Sequence, residues 1–320
     1  MSVVVESPRP TSVGATPSVA DRVGVVVSVH DTDRARLHRC LASLRRSDPT
    51  AAIVVVDNSG STEPLGSTDV AHVVTTNRGF GAAINDGAST VPVAHREFIV
   101  ALNDDVEVDA GWLVPLVEAL DADPSLGAVQ PKLLLADTDP LLVNSLGVEF
   151  DEHGAGRDIG YRTLDDPTAA EPREIEAFSG GAAVLRRSFF DDLGGFDERY
   201  FLYYEDVDLA LRGAERGWRY ACVPTSTVAH AKGATTDETA DDARRLQERN
   251  RIVVAARFFA PTTVGRALWM SVRRLRHQPH AAHLRALAGG LVRMPRAFVE
   301  RRRAGRNAVD VATPTGGNAR

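Results

Sequence analysis

Only two cysteines, Cys40 and Cys222, occur in this chain of 320 residues. They are too few for a disulfide framework, and neither belongs to a metal-like Cys pair. A reducing cytoplasm is therefore the expected compartment. No apolar run approaches the roughly 18–20 residues needed to cross a bilayer, so membrane contact is expected to be peripheral. The first 20 residues are rich in Ser, Thr, Pro and Val but lack a positive start followed by a sustained apolar stretch. They read as a disordered leader and not as a signal peptide. Aromatic residues make up only 6% of the chain, and with no nucleic-acid-binding motif this argues against a nucleic-acid partner. What remains, 43% hydrophobic and 25% charged residues, describes a soluble globular protein. Its length suits one large domain or a domain with an appendage.

The net charge of −6 hides a division. From Arg244 to Arg320 there are 17 arginines, no lysine and three acids, Glu248, Glu300 and Asp310, a net of +14. The preceding 243 residues hold 20 basic and 40 acidic groups, a net of −20. Two such parts should meet different partners. The expected division is a leader over 1–20, a globular domain over 21–240, an Arg-rich helical extension over 241–305 and a disordered tail over 306–320.

Between these limits, short Val/Ile runs alternate with helical periods. Residues 23–29 and 52–56 are buried-strand candidates. Between them Leu37, Cys40, Leu41 and Leu44 fall at helix spacing. A short strand at 72–75 precedes Gly79-Phe80-Gly81, which opens a helix of small residues through about Ser89. Residues 98–102 form a fourth strand that ends at Asn103-Asp104-Asp105. Residues 143–161 suggest a hairpin or long loop, 179–185 another strand and 188–193 a short helix. Continuous apolar strands alternating with helices imply an α/β fold, with a mostly parallel sheet covered on both faces. Ligands then bind beyond the carboxyl ends of the strands, so the polar residues after Val29, Val56, Thr75 and Leu102 should share one rim.

Four segments on or near that rim could carry chemistry. Asn103-Asp104-Asp105 offers carboxylate oxygens to a hard divalent cation at a phosphate substrate, or simply a turn with a helix cap. Asn77-Arg78-Gly79-Phe80-Gly81 lacks the third glycine of a dinucleotide turn, since Ile84 stands there. It still offers a helix N-terminus to phosphate, or else helix-to-sheet packing through small residues. Tyr203-Tyr204-Glu205-Asp206-Val207-Asp208 places three carboxylates in one first turn. They either complement the helix dipole or include a general base. His230, at another strand end, is either a metal ligand or a structural histidine.

Taken together, these segments resemble the family 2 inverting glycosyltransferases with a GT-A fold, over about residues 23–236. The resemblance rests on the first strand, Val56-Asp57-Asn58-Ser59-Gly60, the stretch from Asn77 to Asn85, Leu102 to Asp105, and Ser179 to Asp208. Gly194-Gly195-Phe196-Asp197-Glu198-Arg199-Tyr200-Phe201, followed by Tyr204 to Leu209, is similar to rhamnosyltransferase-like and galactofuranosyltransferase-like bacterial members. The resemblance implies that Asp57 binds the donor's pyrimidine or ribose near the backbone of Ser28, Val29 and His30. Asn77, Arg78 and Gly79 would border the nucleotide. Asn103-Asp104-Asp105 falls at the family's D-x-D position, with Asn in place of the first Asp. That leaves Asp105 as the best ligand for Mg²⁺ or Mn²⁺, with Asp104 its neighbour and His230 completing the metal shell. Asp206 matches the catalytic base. Gly180, Gly181 and Tyr204 would shape the acceptor side, and Glu205 and Asp208 would be supporting carboxylates.

The function so implied is transfer of a sugar, with rhamnose the first choice, from a UDP or dTDP donor to a glycan or lipid-linked acceptor in cell-envelope synthesis. Nucleotidyl transfer would use similar strand-end carboxylates, but it needs a basic triphosphate loop where residues 28–33 are acidic. A non-catalytic nucleotide-sugar-binding scaffold is the remaining alternative. In the tail, Pro261, Pro279 and Pro295 suggest two or three short amphipathic helices. These could lie on an anionic membrane surface, pack on the acidic domain, or form a homo-oligomer contact.

Overall fold

The computed structural model describes residues 18–30, 34–60, 70–136, 138–231, 241–277 and 281–303. The expectations for residues 1–17, for the 31–33 stretch, for 232–240, for Pro279 and for the tail from 304 onward lie outside the described residues. In chain order the elements begin with α1 (Val19–Arg22), β1 (Val23–Val29), α2 (Arg34–Ser47), β2 (Ala52–Asp57), β3 (Ala71–Val74), α3 (Phe80–Ala88), α4 (Val91–Ala94) and β4 (Phe98–Asn103). Next come β5 (Val106–Val108), α5 (Leu113–Ala122), β6 (Leu126–Leu135), β7 (Val143–Ser145), β8 (Val148–Phe150), β9 (Gly156–Asp158), β10 (Arg173–Ile175) and β11 (Ala182–Arg186). The chain continues through α6 (Arg187–Leu193), a 3₁₀ turn Glu198–Tyr200, α7 (Glu205–Ala214), β12 (Arg219–His230), α8 (Asp241–Phe258), α9 (Pro261–His277) and α10 (Ala281–Arg303). The leader therefore does not extend through residue 20. Ser18 accepts from the Asp21 N–H, the Asp21 carboxylate reaches back to Ser18, and this capping box starts α1.

The main sheet runs β10-β12-β6-β11-β4-β1-β2-β3. Strands β1, β2, β3 and β4 are mutually parallel, as their unbroken apolar runs imply. Strand β11 enters antiparallel between β4 and β6, and β12 then pairs parallel with β6. The inversion has a functional consequence. The beginning of β11 lies at the rim where β1, β2, β4 and β12 end, so Gly180-Gly181 and His230 are carried to the ends of the parallel strands. The hairpin expected within 143–161 is β8 paired with β9.

Alternation along each strand divides the core between the two faces. Val23, Val25, Val27 and Val29 join Ile53, Val55, Val100 and Leu102 on the side covered by α2 and α5. Val26, Val54, Val56, Ile99 and Ala101 pack on the opposite side with α3, α7 and α8. Full burial of each such aliphatic side chain contributes about 1.5–3 kcal/mol. Helix α3 lies so close to the sheet that a Cβ on Gly87 would stand 2.3 Å from Val26, which explains its small residues.

The C-terminal region is three helices of 18, 17 and 23 residues, longer than expected. Pro261 begins α9, where a missing N–H costs nothing. Pro295 lies inside α10 and does not interrupt it. Among the described residues no helix is long and apolar enough to cross a membrane. Helix α8 packs on the catalytic unit, and part of the basic charge is spent there. The Arg257 guanidinium donates to Asp208 at 2.6 Å and Asp197 at 3.2 Å. Arg251 meets Glu248 at 2.8 Å, with both side chains 3% exposed. Trp269, Leu284 and Val292 remain exposed on α9 and α10, in keeping with an amphipathic extension.

Candidate active site

The strand ends meet on one rim. Val29 is in register with Asp57, and Ser28 with Asn103. The Asn103 N–H donates to the Gly181 carbonyl at 3.1 Å, and the Ala231 N–H to that of Asp105 at 2.9 Å. Short backbone links therefore join the ends of β4, β11 and β12.

Asp105 and His230 form the first chemical unit. Both are buried, and His230 Nε2 lies 3.2 Å from Asp105 Oδ1. That oxygen has no hydrogen-bond donor. The opposite ring nitrogen, Nδ1, is 2.7 Å from Asn144 Oδ1. An amide oxygen only accepts, so Nδ1 carries the hydrogen of that contact, and in this tautomer Nε2 keeps a lone pair free for a metal ion. Asn103 Nδ2 reaches Nε2 only at 3.4 Å. Two electron-rich atoms facing one space fit a divalent cation. Among the described residues no three His, Cys, Asp or Glu side chains gather as a closed cage. Asp104, adjacent and 3% exposed, is not part of this pair.

Asp206 is the second unit. Its Oδ2 accepts from the Gly180 N–H at 2.7 Å and its Oδ1 from the Val207 N–H at 2.8 Å. Burial raises its pKa, partly offset by those two donors. The step Gly180–Gly181 joins both units. A Cβ on Gly180 would come within 3.3 Å of Asp206 Oδ2, and one on Gly181 within 3.2 Å of the His230 ring. Two bare glycines thus let a carboxylate and an imidazole approach the same piece of backbone.

Asp206 follows an unusual loop. Phe201, Tyr203 and Tyr204 all have positive φ, at 69°, 66° and 70°. Each such conformation costs about 1–3 kcal/mol for a non-glycine residue and persists only where surroundings impose it. From α3, the Phe80 N–H donates to the Phe201 carbonyl at 3.0 Å, and Asn85 both accepts from and donates to the Phe196 backbone.

Glu205, next to Asp206, is 5% exposed, and its Oε2 has no partner. Burial, and then the charge of Asp206, push its pKa well above the ordinary value of 4.5. Folding therefore takes up a proton in the window that opens at 4.5 and runs up to the raised folded value. Stability falls as pH rises through it, by about 1.4 kcal/mol per pH unit. Glu205→Gln should flatten that slope. The check is urea unfolding across pH 5–8, and equal slopes for the two proteins would refute the assignment.

The remaining sequence candidates divide into two groups. Asp57 is buried at the end of β2, with Oδ1 accepting from the Ser59 N–H at 2.8 Å and Oδ2 lying 3.7 Å from His72 Nε2. His30 and Asn77 meet at 3.1 Å across the ends of β1 and β3. These stay on the rim beside Ser28. Arg78 does not face it: its guanidinium pairs with Asp86 and with Glu198. Gly79 serves the close approach of Phe201, whose carbonyl takes the first N–H of α3 that was expected to meet phosphate. Asp208 is fully buried between Arg212 and Arg257, so it supports the fold of α7 and reaches no acceptor. The partly buried Tyr204 ring packs against the core, with its hydroxyl accepting from the Gly156 N–H at 3.3 Å. Sequence reasoning missed Asn144, Arg249 and Asn250. Nothing marks Asn144 locally. Arg249-Asn250 lies within the polar run from Gln247 to Arg251, which reads as an ordinary solvated helix surface although both residues are buried.

The chain has counterparts among known proteins. Residues 21–253 match the family model described as Glycosyltransferase like family 2, a span that runs into α8. An N-acetylglucosaminyl-diphospho-decaprenol L-rhamnosyltransferase of Mycobacterium tuberculosis is 29% identical over 238 residues, 66% of this chain and 76% of that protein. The O-antigen biosynthesis protein RfbC of Myxococcus xanthus is 32% identical over 160 residues, 48% of this chain but only 12% of its own length. Among solved structures, GalNAc-T7 with UDP, GalNAc and Mn²⁺ superposes with a TM-score of 0.62 at 18% identity, covering 83% of this chain and 53% of that one. The mannosyltransferase PcManGT of Pyrobaculum calidifontis, with GDP-Man and Mn²⁺, gives 0.50 at 18% identity over 92% and 88%. The fold is therefore GT-A, and the chain belongs to glycosyltransferase family 2.

Proposed function

We propose that this protein is an inverting glycosyltransferase that moves a sugar, rhamnose by first assignment, from a UDP or dTDP donor to a polyprenyl-linked glycan acceptor. The observation that carries the reading is the Gly180–Gly181 step, which ties a carboxylate base to a pair of cation ligands at the rim of a GT-A sheet. The sugar and the lipid acceptor are taken from the mycobacterial relative's name.

The chain's own groups divide the chemistry as follows. Asp57 and the backbone of Ser28 to His30 hold the nucleoside, a carboxylate being able to accept a pyrimidine ring N–H. Asp105 and His230 would hold a divalent cation, which when bound supplies positive charge to a departing diphosphate. Asp206 takes the proton from an acceptor hydroxyl as its oxygen bonds to the anomeric carbon and the bond to the diphosphate breaks. A single displacement of this kind inverts the anomeric centre. Because its pKa is raised, the acid limb of kcat/KM should lie above the ordinary aspartate range.

The donor set also selects among metals. Mg²⁺ demands near-ideal octahedral oxygen coordination and dehydrates reluctantly, whereas Mn²⁺, a transition ion that shares its carboxylate preference, tolerates one nitrogen ligand more readily. Mn²⁺ should therefore support more transfer than Mg²⁺. Asp105→Asn should weaken Mn²⁺ binding at least tenfold, measured by electron paramagnetic resonance with dTDP present. Unchanged binding would remove Asp105 from the site. The reading as a whole is tested by assaying transfer from dTDP-rhamnose and a panel of UDP-sugars to decaprenyl diphospho-N-acetylglucosamine. Failure to bind or turn over any donor would overturn it.

A further inference from the structure

We propose that Asn250, on α8 and outside the cleft, is the positioning residue that sets the catalytic base. The proposal rests on the reading of Asp206 as that base. Between the 3₁₀ turn and α7 the backbone passes through three left-handed aromatic residues, and Tyr204, which precedes α7, makes no side-chain cap.

The restraint comes from α8. Asn250, 1% exposed, directs Nδ2 at three carbonyls of this segment, Tyr203 at 2.7 Å, Leu202 at 2.9 Å and Tyr200 at 3.1 Å. Its two N–H groups are shared among three acceptors. The orientation of the amide is settled by chemistry, since its Oδ1 accepts from Arg249 Nε at 2.7 Å while three carbonyls demand donors on the other side. Arg249 Nη2 adds a second donor to the Tyr200 carbonyl at 2.6 Å. Phe80 holds the Phe201 carbonyl from α3. The carbonyls of residues 200–203 are thus all gripped, and the Tyr204 carbonyl accepts the Asp208 N–H at 2.8 Å to begin α7. Glu205 and Asp206 follow with no slack. Release of Tyr203 and Tyr204 would let Asp206 move off the Gly180 N–H, and a displacement of about 1 Å at a reacting group can cost on the order of 100-fold in rate.

This gives α8 a role distinct from the membrane or packing functions its arginines suggest. The first helix of the basic extension belongs to the catalytic apparatus, and the family match through residue 253 includes Asn250.

The test uses the full chain carrying Asn250→Asp, which keeps the shape of the side chain but turns an acceptor toward the three carbonyls. Hydrogen exchange of the 201–206 amides is expected to accelerate at least tenfold, with exchange in β1, β2 and β4 unchanged. On any donor that the wild type turns over, kcat should fall 30-fold or more while the donor KM and Mn²⁺-dependent dTDP binding stay within threefold. Should that variant fail to fold, Asn250→Ala, which sets no charge against the carbonyls, is read by the same measurements. Unchanged exchange at 201–206, or a loss of dTDP affinity equal to the loss of kcat, overturns the proposal. Asp206→Asn assayed in parallel separates the two readings. Full transfer by that variant defeats the base assignment, whereas wild-type exchange in the Asn250 variant defeats the clamp alone.

Discussion

Asp206→Asn is expected to lower sugar transfer by about 100- to 10,000-fold, the range over which a positioned general base acts. The substitution removes the carboxylate proposed to accept the hydroxyl proton and changes little else in shape. An amide has one acceptor oxygen where the carboxylate has two, so either the Gly180 or the Val207 N–H loses its partner. That loss costs about 1–3 kcal/mol. It is opposed by a gain, since burial already disfavours the charged form and a neutral amide escapes that penalty. The unfolding temperature should therefore change little while the rate collapses. Donor binding should survive, because Asp57, Asp105 and His230 are untouched. The decisive measurement is the pH profile of kcat/KM beside the rate itself. The wild-type acid limb should vanish in the variant, leaving a flat low rate. A variant within tenfold of wild type, or one with the same acid limb, would remove Asp206 from the chemistry.

How much of this could be read from residues alone depends on how local each signal was. Strands β1, β2 and β4 were legible because both sheet faces are buried, and such strands carry uninterrupted Val, Ile and Leu. Strand β6 was not, because Gln130, Pro131 and Lys132 interrupt its apolar run. Those polar groups are buried at a price met far away in sequence: Gln130 accepts the Ser179 N–H at 2.8 Å, and Lys132 pairs with Asp165 at 2.6 Å. The antiparallel insertion of β11 was likewise invisible, although it is what brings Gly180 and Gly181 to the rim. Among the site residues, Asp105, His230 and Asp206 stood at strand or helix ends and could be named. Their grouping depends on the order of strands across the sheet, which no local pattern records. The charge division left membrane, packing and oligomer roles open for the Arg-rich region, and for its first helix the packing role holds. Of the seventeen arginines after residue 243, Arg249, Arg251 and Arg257 are buried. Arg257 answers Asp208 and Asp197, acids of the supposedly separate acidic unit.

Gly79→Ala should be the most damaging of the small substitutions, and the reason separates steric approach from backbone preference. Gly79 has φ 94° and ψ 176°, which disfavours any L side chain. More severely, an added Cβ would lie 1.8 Å from the Phe201 carbonyl oxygen and 2.4 Å from its carbon. These are backbone atoms, held on their far side by the contacts of Asn250 to Tyr200, Leu202 and Tyr203. They cannot swing away as a side chain would. To relieve the overlap, the loop must leave α3, breaking the bond from the Phe80 N–H to the Phe201 carbonyl. Gly79 also accepts from Asn58 Nδ2 at 3.3 Å and donates to Asn77 Oδ1 at 3.0 Å, so the shift reaches the ends of β2 and β3. A destabilisation of about 3–5 kcal/mol is expected, at the severe end for one substitution. Gly194→Ala provides the control. Gly194 has φ 69° but nothing within 4 Å of an added Cβ, so only the left-handed conformation is penalised, at about 1–2 kcal/mol. Urea unfolding of the two variants measures the difference. Transfer at saturating donor, normalised to folded protein, should fall 100-fold or more for Gly79→Ala and stay near wild type for Gly194→Ala. Equal destabilisation by both would mean that the Phe201 carbonyl does not press on Gly79, and that α3 is not the wall against which the loop bearing Asp206 is set.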